Sequence, residues 1–176
     1  MLFFCAGSIK ERYHTLEIKR LSGLLLQMPK LGWILGFCAM ASLGLPGLAG
    51  FWGEFPAILS AYQPAPVLDQ YIVLYRTLMV IAALGTVLAA GYLLWLYQRT
   101  AFGNVNPEFA SSHTTAHSVG AAANDEHHDE IHDVTTFEWI AWTPLLIGIV
   151  VLGVYPQFLF KVLDPGVTQL VEVFKK

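Results

Sequence analysis

Apolar residues come in long blocks along this 176-residue chain, and charge is confined to the stretches between them. Residues 31–62, 71–98 and 137–160 are each long and apolar enough to cross a hydrocarbon core, which takes roughly 20 residues of helix. A shorter apolar run, residues 1–9 (MLFFCAGSI), precedes the charges of KERYH. It is too short to span, has no positive charge ahead of it and ends in no cleavage site, so it does not read as a signal peptide. It reads as the end of a span whose beginning lies upstream, which makes the chain the expected C-terminal part of a larger polytopic protein.

The segments between the blocks orient them. Residues 10–30 carry Lys10, Arg12, Lys19, Arg20 and Lys30, whereas the connection QPAPVLDQ at 63–70 has neither Lys nor Arg. The positive-inside rule then places 10–30 in the cytoplasm, 63–70 outside, 99–136 in the cytoplasm and the C-terminus outside. Lys161, Lys175 and Lys176 pull weakly the other way. Tyr92, Trp95 and Tyr97 close the second span as an interfacial aromatic belt. Residues 99–136 include NDEHHDEIHD and nothing that builds a core, so they read as a flexible, solvated loop. His113 and His117 are four apart, as are His128 and His132, a spacing that puts each pair on one helical face. Without a rigid framework to pre-organise ligands, we read them as solvated rather than metal-binding. After the last span, Asp164 and Pro165 are suited to an N-cap and first helical position. Val167, Leu170, Val171 and Phe174 then form an apolar stripe for a membrane surface or a neighbouring subunit.

Composition agrees with this reading and excludes others. The chain is 55% hydrophobic and 13% charged, against about 25% charged in soluble domains. A soluble enzyme is excluded. With a net charge of −3 and no basic stripe, nothing points to nucleic acid. Cys5 and Cys38 both lie in apolar segments and read as small hydrophobes. No phosphate loop, nucleotide fingerprint, iron–sulfur cysteine set or nucleophilic triad is present.

The candidate chemistry lies in LGLPGLAGFWGEFPAILSAY, residues 43–62. As one helix, residues 31–62 would be about 48 Å long against a core of about 30 Å, so a break or strong tilt is expected. Gly44, Pro46, Gly47 and Gly50 supply the break, because Pro removes a backbone donor and Gly weakens the helix. Non-helical backbone at membrane depth persists only where protein or water satisfies it, and broken helices of this kind occur at ion sites. Glu54 follows four residues later. An intramembrane acid costs about 2.5 kcal/mol or more and is by default a functional group. Burial favours a neutral carboxyl and a nearby cation favours a charged one, so a carboxyl poised between the two can take up and release a proton. The competing readings are a passive kink and a glutamate facing water at the outer end of its helix. For Arg76 the readings are a pairing with an acid and snorkelling to the interface, of which we expect snorkelling.

Four stretches, LFFCAGSIKER, SLGLPGLAGFWGEF, AAGYLLWLYQRTAFG and FEWIAWTPLLIGIVVLGVYPQFLF, resemble in order the C-terminal part of the antiporter-like membrane subunits M and 4 of respiratory complex I, the NADH–quinone oxidoreductase. The resemblance implies an all-α polytopic membrane fold of 14 helices with inverted five-helix repeats, of which this chain holds one discontinuous helix. It implies that Glu54 belongs to the proton path and that Pro46 marks the break. The family's other proton-path groups, an acid, lysines and histidines, lie on earlier helices. It further implies that NADH, flavin, iron–sulfur clusters and quinone are bound by other subunits, with no cofactor or metal in this chain. The chain alone would then catalyse nothing, and would act as one subunit of a proton-translocating oxidoreductase in a bacterial plasma membrane. Its partners would be the lipid bilayer and the other membrane subunits, neighbouring antiporter-like ones above all. Alternatives are a homologous subunit of a multi-subunit Na+/H+ antiporter or a membrane-bound hydrogenase, or a non-pumping scaffold. The LYQRTAFG exit and the last span lean toward complex I.

Overall fold

The computed structural model describes residues 1–62, 70–110 and 131–174. All regular structure among the described residues is helical: α1 (Leu2–Tyr13), α2 (Leu24–Gln27), α3 (Pro29–Ser42), α4 (Ala49–Ser60), α5 (Ile72–Ala101), α6 (Pro107–Ala110), α7 (Thr136–Val154) and α8 (Gln157–Phe174). The chain divides into two compact units, Met1–Ala39 with Ala90–Trp142, and Met40–Ala89 with Thr143–Lys176.

The first unit holds nearly all of the buried apolar side chains. Cys5, Ile9 and Tyr13 are buried at four-residue intervals along one side of α1. On α3, Leu31, Ile34, Leu35 and Cys38 are buried at i, i+3, i+4 and i+7, while Trp33 on the opposite face is 71% exposed. Both cysteines are free and buried. Gly36 packs so closely that a Cβ there would lie 2.6 Å from the Tyr97 hydroxyl of α5.

Polar side chains tie the helix ends of this unit together. Asp133 accepts from the backbone N–H groups of Lys30 (3.0 Å) and Leu31 (3.2 Å), capping α3. Thr135 and Glu138 form a reciprocal capping box at the start of α7. The Thr135 N–H donates to Glu138 Oε2 at 2.8 Å, and the Glu138 N–H donates to Thr135 Oγ1 at 3.3 Å. Arg12 Nη2 donates to the same Glu138 Oε2 at 2.7 Å, and Arg12 Nε donates to the His132 carbonyl at 2.6 Å. Ser8 completes the cluster by donating to Glu138 Oε1 at 2.7 Å. Gln27 accepts from the Tyr13 hydroxyl and donates to the Phe109 carbonyl at 2.9 Å. Asp133→Ala is expected to cost about 1–2 kcal/mol, the range for losing a helix N-cap. The check is the thermal midpoint of the assembled protein, with Asp133→Asn retaining part of the loss because it keeps one acceptor.

The loop expected at 99–136 is therefore shorter and better anchored at its ends. Residues 99–101 belong to α5, residues 107–110 form α6, and residues 131–135 are bonded to α1 and α3. His113, His117 and His128 lie outside the described residues.

In the second unit the long apolar segment is split. Helix α3 ends at Ser42 and α4 starts at Ala49, giving pieces about 21 and 18 Å long, neither able to cross a bilayer alone. Helices α5 and α7 are each long and apolar enough to cross. Three sequence expectations are corrected here. The span expected at 137–160 ends at Val154, and residues 157–160 already belong to α8. Gly50 lies inside α4 and not in the break, which covers 43–48. Pro165 lies inside α8 and does not start a helix. Helix α8 starts beyond Pro156, whose carbonyl accepts from Leu159 (3.0 Å) and Phe160 (3.1 Å). The apolar stripe through Val167 extends back to Leu163 and Leu159 at four-residue steps, so a continuous face outweighs the one bond that Pro165 forfeits.

Candidate functional site

The break is built by two left-handed glycines and a proline. Gly44 has φ +68° and Gly47 φ +93°, a region that side chains with a Cβ rarely adopt. Pro46 stands between them without an N–H. Leu48 is extended and begins α4 without a side-chain cap. Pro56, inside α4, leaves the Trp52 carbonyl without its usual helical donor. Free backbone groups thus gather around one short apolar segment.

Glu54 sits at this break. Its Oε2 lies 3.0 Å from where a Cβ on Gly44 would be, so the carboxyl rests over the bare α-carbon of that glycine. The position follows from helical geometry, since side chains on α4 lean toward its N-terminus and hence toward the break. Glu54 is exposed within this chain, and among the described residues no hydrogen bond or ion pair reaches it. Of the expected site residues, Gly44 therefore meets Glu54 directly. Pro46 and Gly47 shape the turn. Gly50 instead lets the two half-helices approach: a Cβ there would collide with the Ala41 carbonyl oxygen at the end of α3. Arg76 stacks over the Tyr62 ring at 5.0 Å and its Nε donates to the Tyr62 carbonyl at 3.4 Å, so it tethers the end of α4.

Two residues that sequence reasoning did not single out complete the surroundings. The Trp52 indole N–H donates to the Gly153 carbonyl of α7 at 2.7 Å. Gly153 also presses on the break, where a Cβ would collide with the Gly47 carbonyl oxygen and the Leu48 α-carbon. The available signals were a tryptophan inside GFWGEF and a glycine just before a Tyr-Pro break in LGVYPQ.

The chain is similar to known proteins. Residues 1–82 match the family described as NADH:quinone oxidoreductase/Mrp antiporter, TM. NADH-quinone oxidoreductase subunit M of Rhodobacter capsulatus is 34% identical over 171 residues, covering 97% of this chain and 28% of that protein. NADH-ubiquinone oxidoreductase chain 4 of Marchantia polymorpha is 30% identical over 171 residues, covering 97% of this chain and 29% of the relative. Among solved structures, respiratory complex I from Thermus thermophilus with bound NADH contains a chain matching 93% of this one with a TM-score of 0.65 and 28% identity. This chain covers 28% of that one, so it spans under a third of the length of these relatives.

Proposed function

We propose that this chain, which is similar over nearly its whole length to the antiporter-like subunits M and 4 of NADH–quinone oxidoreductases, contributes a proton-transfer carboxyl, Glu54, to the membrane arm of such an enzyme. The observation that carries this reading is a carboxyl held against the non-helical turn of a broken apolar helix. Water admitted where backbone groups lack helical partners gives Glu54 a route for its proton. Electron transfer elsewhere in the enzyme changes the charge on neighbouring buried groups. That change alters the balance between the neutral and charged carboxyl, so the proton is taken up from one side and released to the other.

In this reading NADH, flavin, iron–sulfur clusters and quinone are held by other subunits, and this chain moves protons without touching electrons. Its partners are the lipid bilayer and the neighbouring antiporter-like subunits, in a bacterial plasma membrane. The family description also names the Mrp antiporter, so a subunit of a multi-subunit cation/proton antiporter is the second reading.

Glu54→Gln keeps the shape and removes the charge. In the assembled oxidoreductase reconstituted into vesicles, this variant is expected to oxidise NADH while the protons moved per electron pair fall to a small fraction. A normal ratio and rate would defeat the assignment. Sodium-dependent exchange without NADH-driven pumping in the wild type would favour the antiporter reading.

A further inference from the structure

Trp52 lies two residues before Glu54, and proton transfer as described makes no use of it. Its indole is held from three directions. The ring N–H donates to the Gly153 carbonyl at 2.7 Å. Phe160 of α8 meets the ring edge to face with centroids 6.0 Å apart, and Phe51 does so at 5.3 Å. Gly153 in turn abuts the broken segment at Gly47 and Leu48. One residue of α7 therefore grips both the turn, through its α-carbon, and α4, through its carbonyl.

Beyond the close approach of Gly50 to Ala41 and the Arg76 contact past its end, helix α4 has few features that set its rotation. It starts from an uncapped Leu48, follows a turn with two left-handed glycines and contains Pro56. Among the described residues, the Trp52 indole makes the one side-chain hydrogen bond from α4 to another helix, the other such bond being local from Ser60 to Ala57. Residues 52 and 54 point to different sides of the helix, about 200° apart. A rotation of α4 that frees the indole thus also sweeps the carboxyl. At a side-chain radius of about 5–6 Å, a turn of about 20° moves it by about 2 Å, enough to take Glu54 off the bare α-carbon of Gly44.

We propose that Trp52 is a positioning residue for Glu54: its bond to Gly153 fixes the rotation of α4 and keeps the carboxyl seated at the break. The inference rests on the reading of Glu54 as the proton-transfer group, and the two are separable by experiment. The probe is a hydrophobic carbodiimide, which reacts with carboxyls, applied to the assembled oxidoreductase at one fixed pH, with labelling at Glu54 read by peptide mass spectrometry. Trp52→Phe keeps an aromatic ring and removes the donor. It is expected to change the extent of labelling at Glu54 severalfold, because the carboxyl leaves its seat at the break. It should also lower proton translocation while uncoupled NADH oxidation holds. A tryptophan analogue carrying sulfur in place of the indole N–H keeps the two-ring shape and should give the same change in labelling. It replaces Trp52→Phe should that variant not assemble. A labelling extent and a pumping ratio equal to wild type in either variant overturns the proposal while leaving Glu54 in its role. A Glu54 that resists labelling, together with normal pumping by Glu54→Gln, overturns the proton-transfer reading and this inference with it.

Discussion

Gly50→Ala is expected to prevent assembly or to lower stability by about 3 kcal/mol, at the upper end for overpacking a tight site. The new Cβ would collide with the Ala41 carbonyl oxygen, and its next neighbours are also backbone, the Gly44 α-carbon at 3.5 Å and the Ala41 carbonyl carbon at 3.6 Å. No rotamer change relieves a clash with main chain. Either α4 must move away from the end of α3 or the turn at 43–48 must rearrange. Gly53→Ala is the matched control on the same helix, because nothing in this chain lies within 4 Å of a Cβ there. It is expected to be neutral or to stabilise by about 0.5–1 kcal/mol, the usual gain from alanine over glycine in a helix. Native-gel assembly and the thermal inactivation midpoint compare the two. Equal behaviour would mean that the close approach of the two half-helices is not required.

Arg12→Ala is expected to cost about 3 kcal/mol, the low end for breaking a buried ion pair. Arg12 and Glu138 are 12% and 20% exposed, so the carboxylate left behind is poorly solvated. The guanidinium also serves the His132 carbonyl at 2.6 Å and the Asp133 carbonyl at 3.4 Å. Arg12→Lys should therefore rescue little, since an ammonium cannot reproduce a planar fork. The double variant Arg12→Ala with Glu138→Gln should recover part of the loss, because Gln at that position preserves the capping box and carries no unpaired charge. A double variant no more stable than Arg12→Ala would show that the ion pair is not what matters.

The break was legible because its cause is local. A 31–62 segment too long for a bilayer, with Gly44, Pro46 and Gly47 in it, has few ways to fold. Glu54 was singled out by residue type and by its place in an apolar segment, and the structure sets its carboxyl over Gly44. What surrounds it was not, because those contacts join residues far apart in the chain: Trp52 and Gly153 are 101 positions apart. Gly50 resembled its neighbouring glycines in sequence, yet it is needed for a backbone approach inside a helix and not for a turn. Asp164-Pro165 showed the converse. Local start signals were present, but the apolar face running back to Leu159 decided the outcome. The Thr135–Glu138 capping box follows a recognised spacing and was open to reading, whereas its second partner, Arg12, was not.

The cap on α3 has a consequence for biogenesis. Ribosomal synthesis delivers Lys30 and Leu31 about a hundred residues before Asp133, their acceptor. At 5–20 residues per second, roughly the in vivo rate, that is an interval of about 5–20 s. During it α3 is already made while its first two N–H groups have no native partner. The first unit is therefore a late-closing one: its early helices wait for the segment that leads into α7 before they can settle. A chaperone or insertase that shields the start of α3 would act in that window, and a chain interrupted before Asp133 would leave it open.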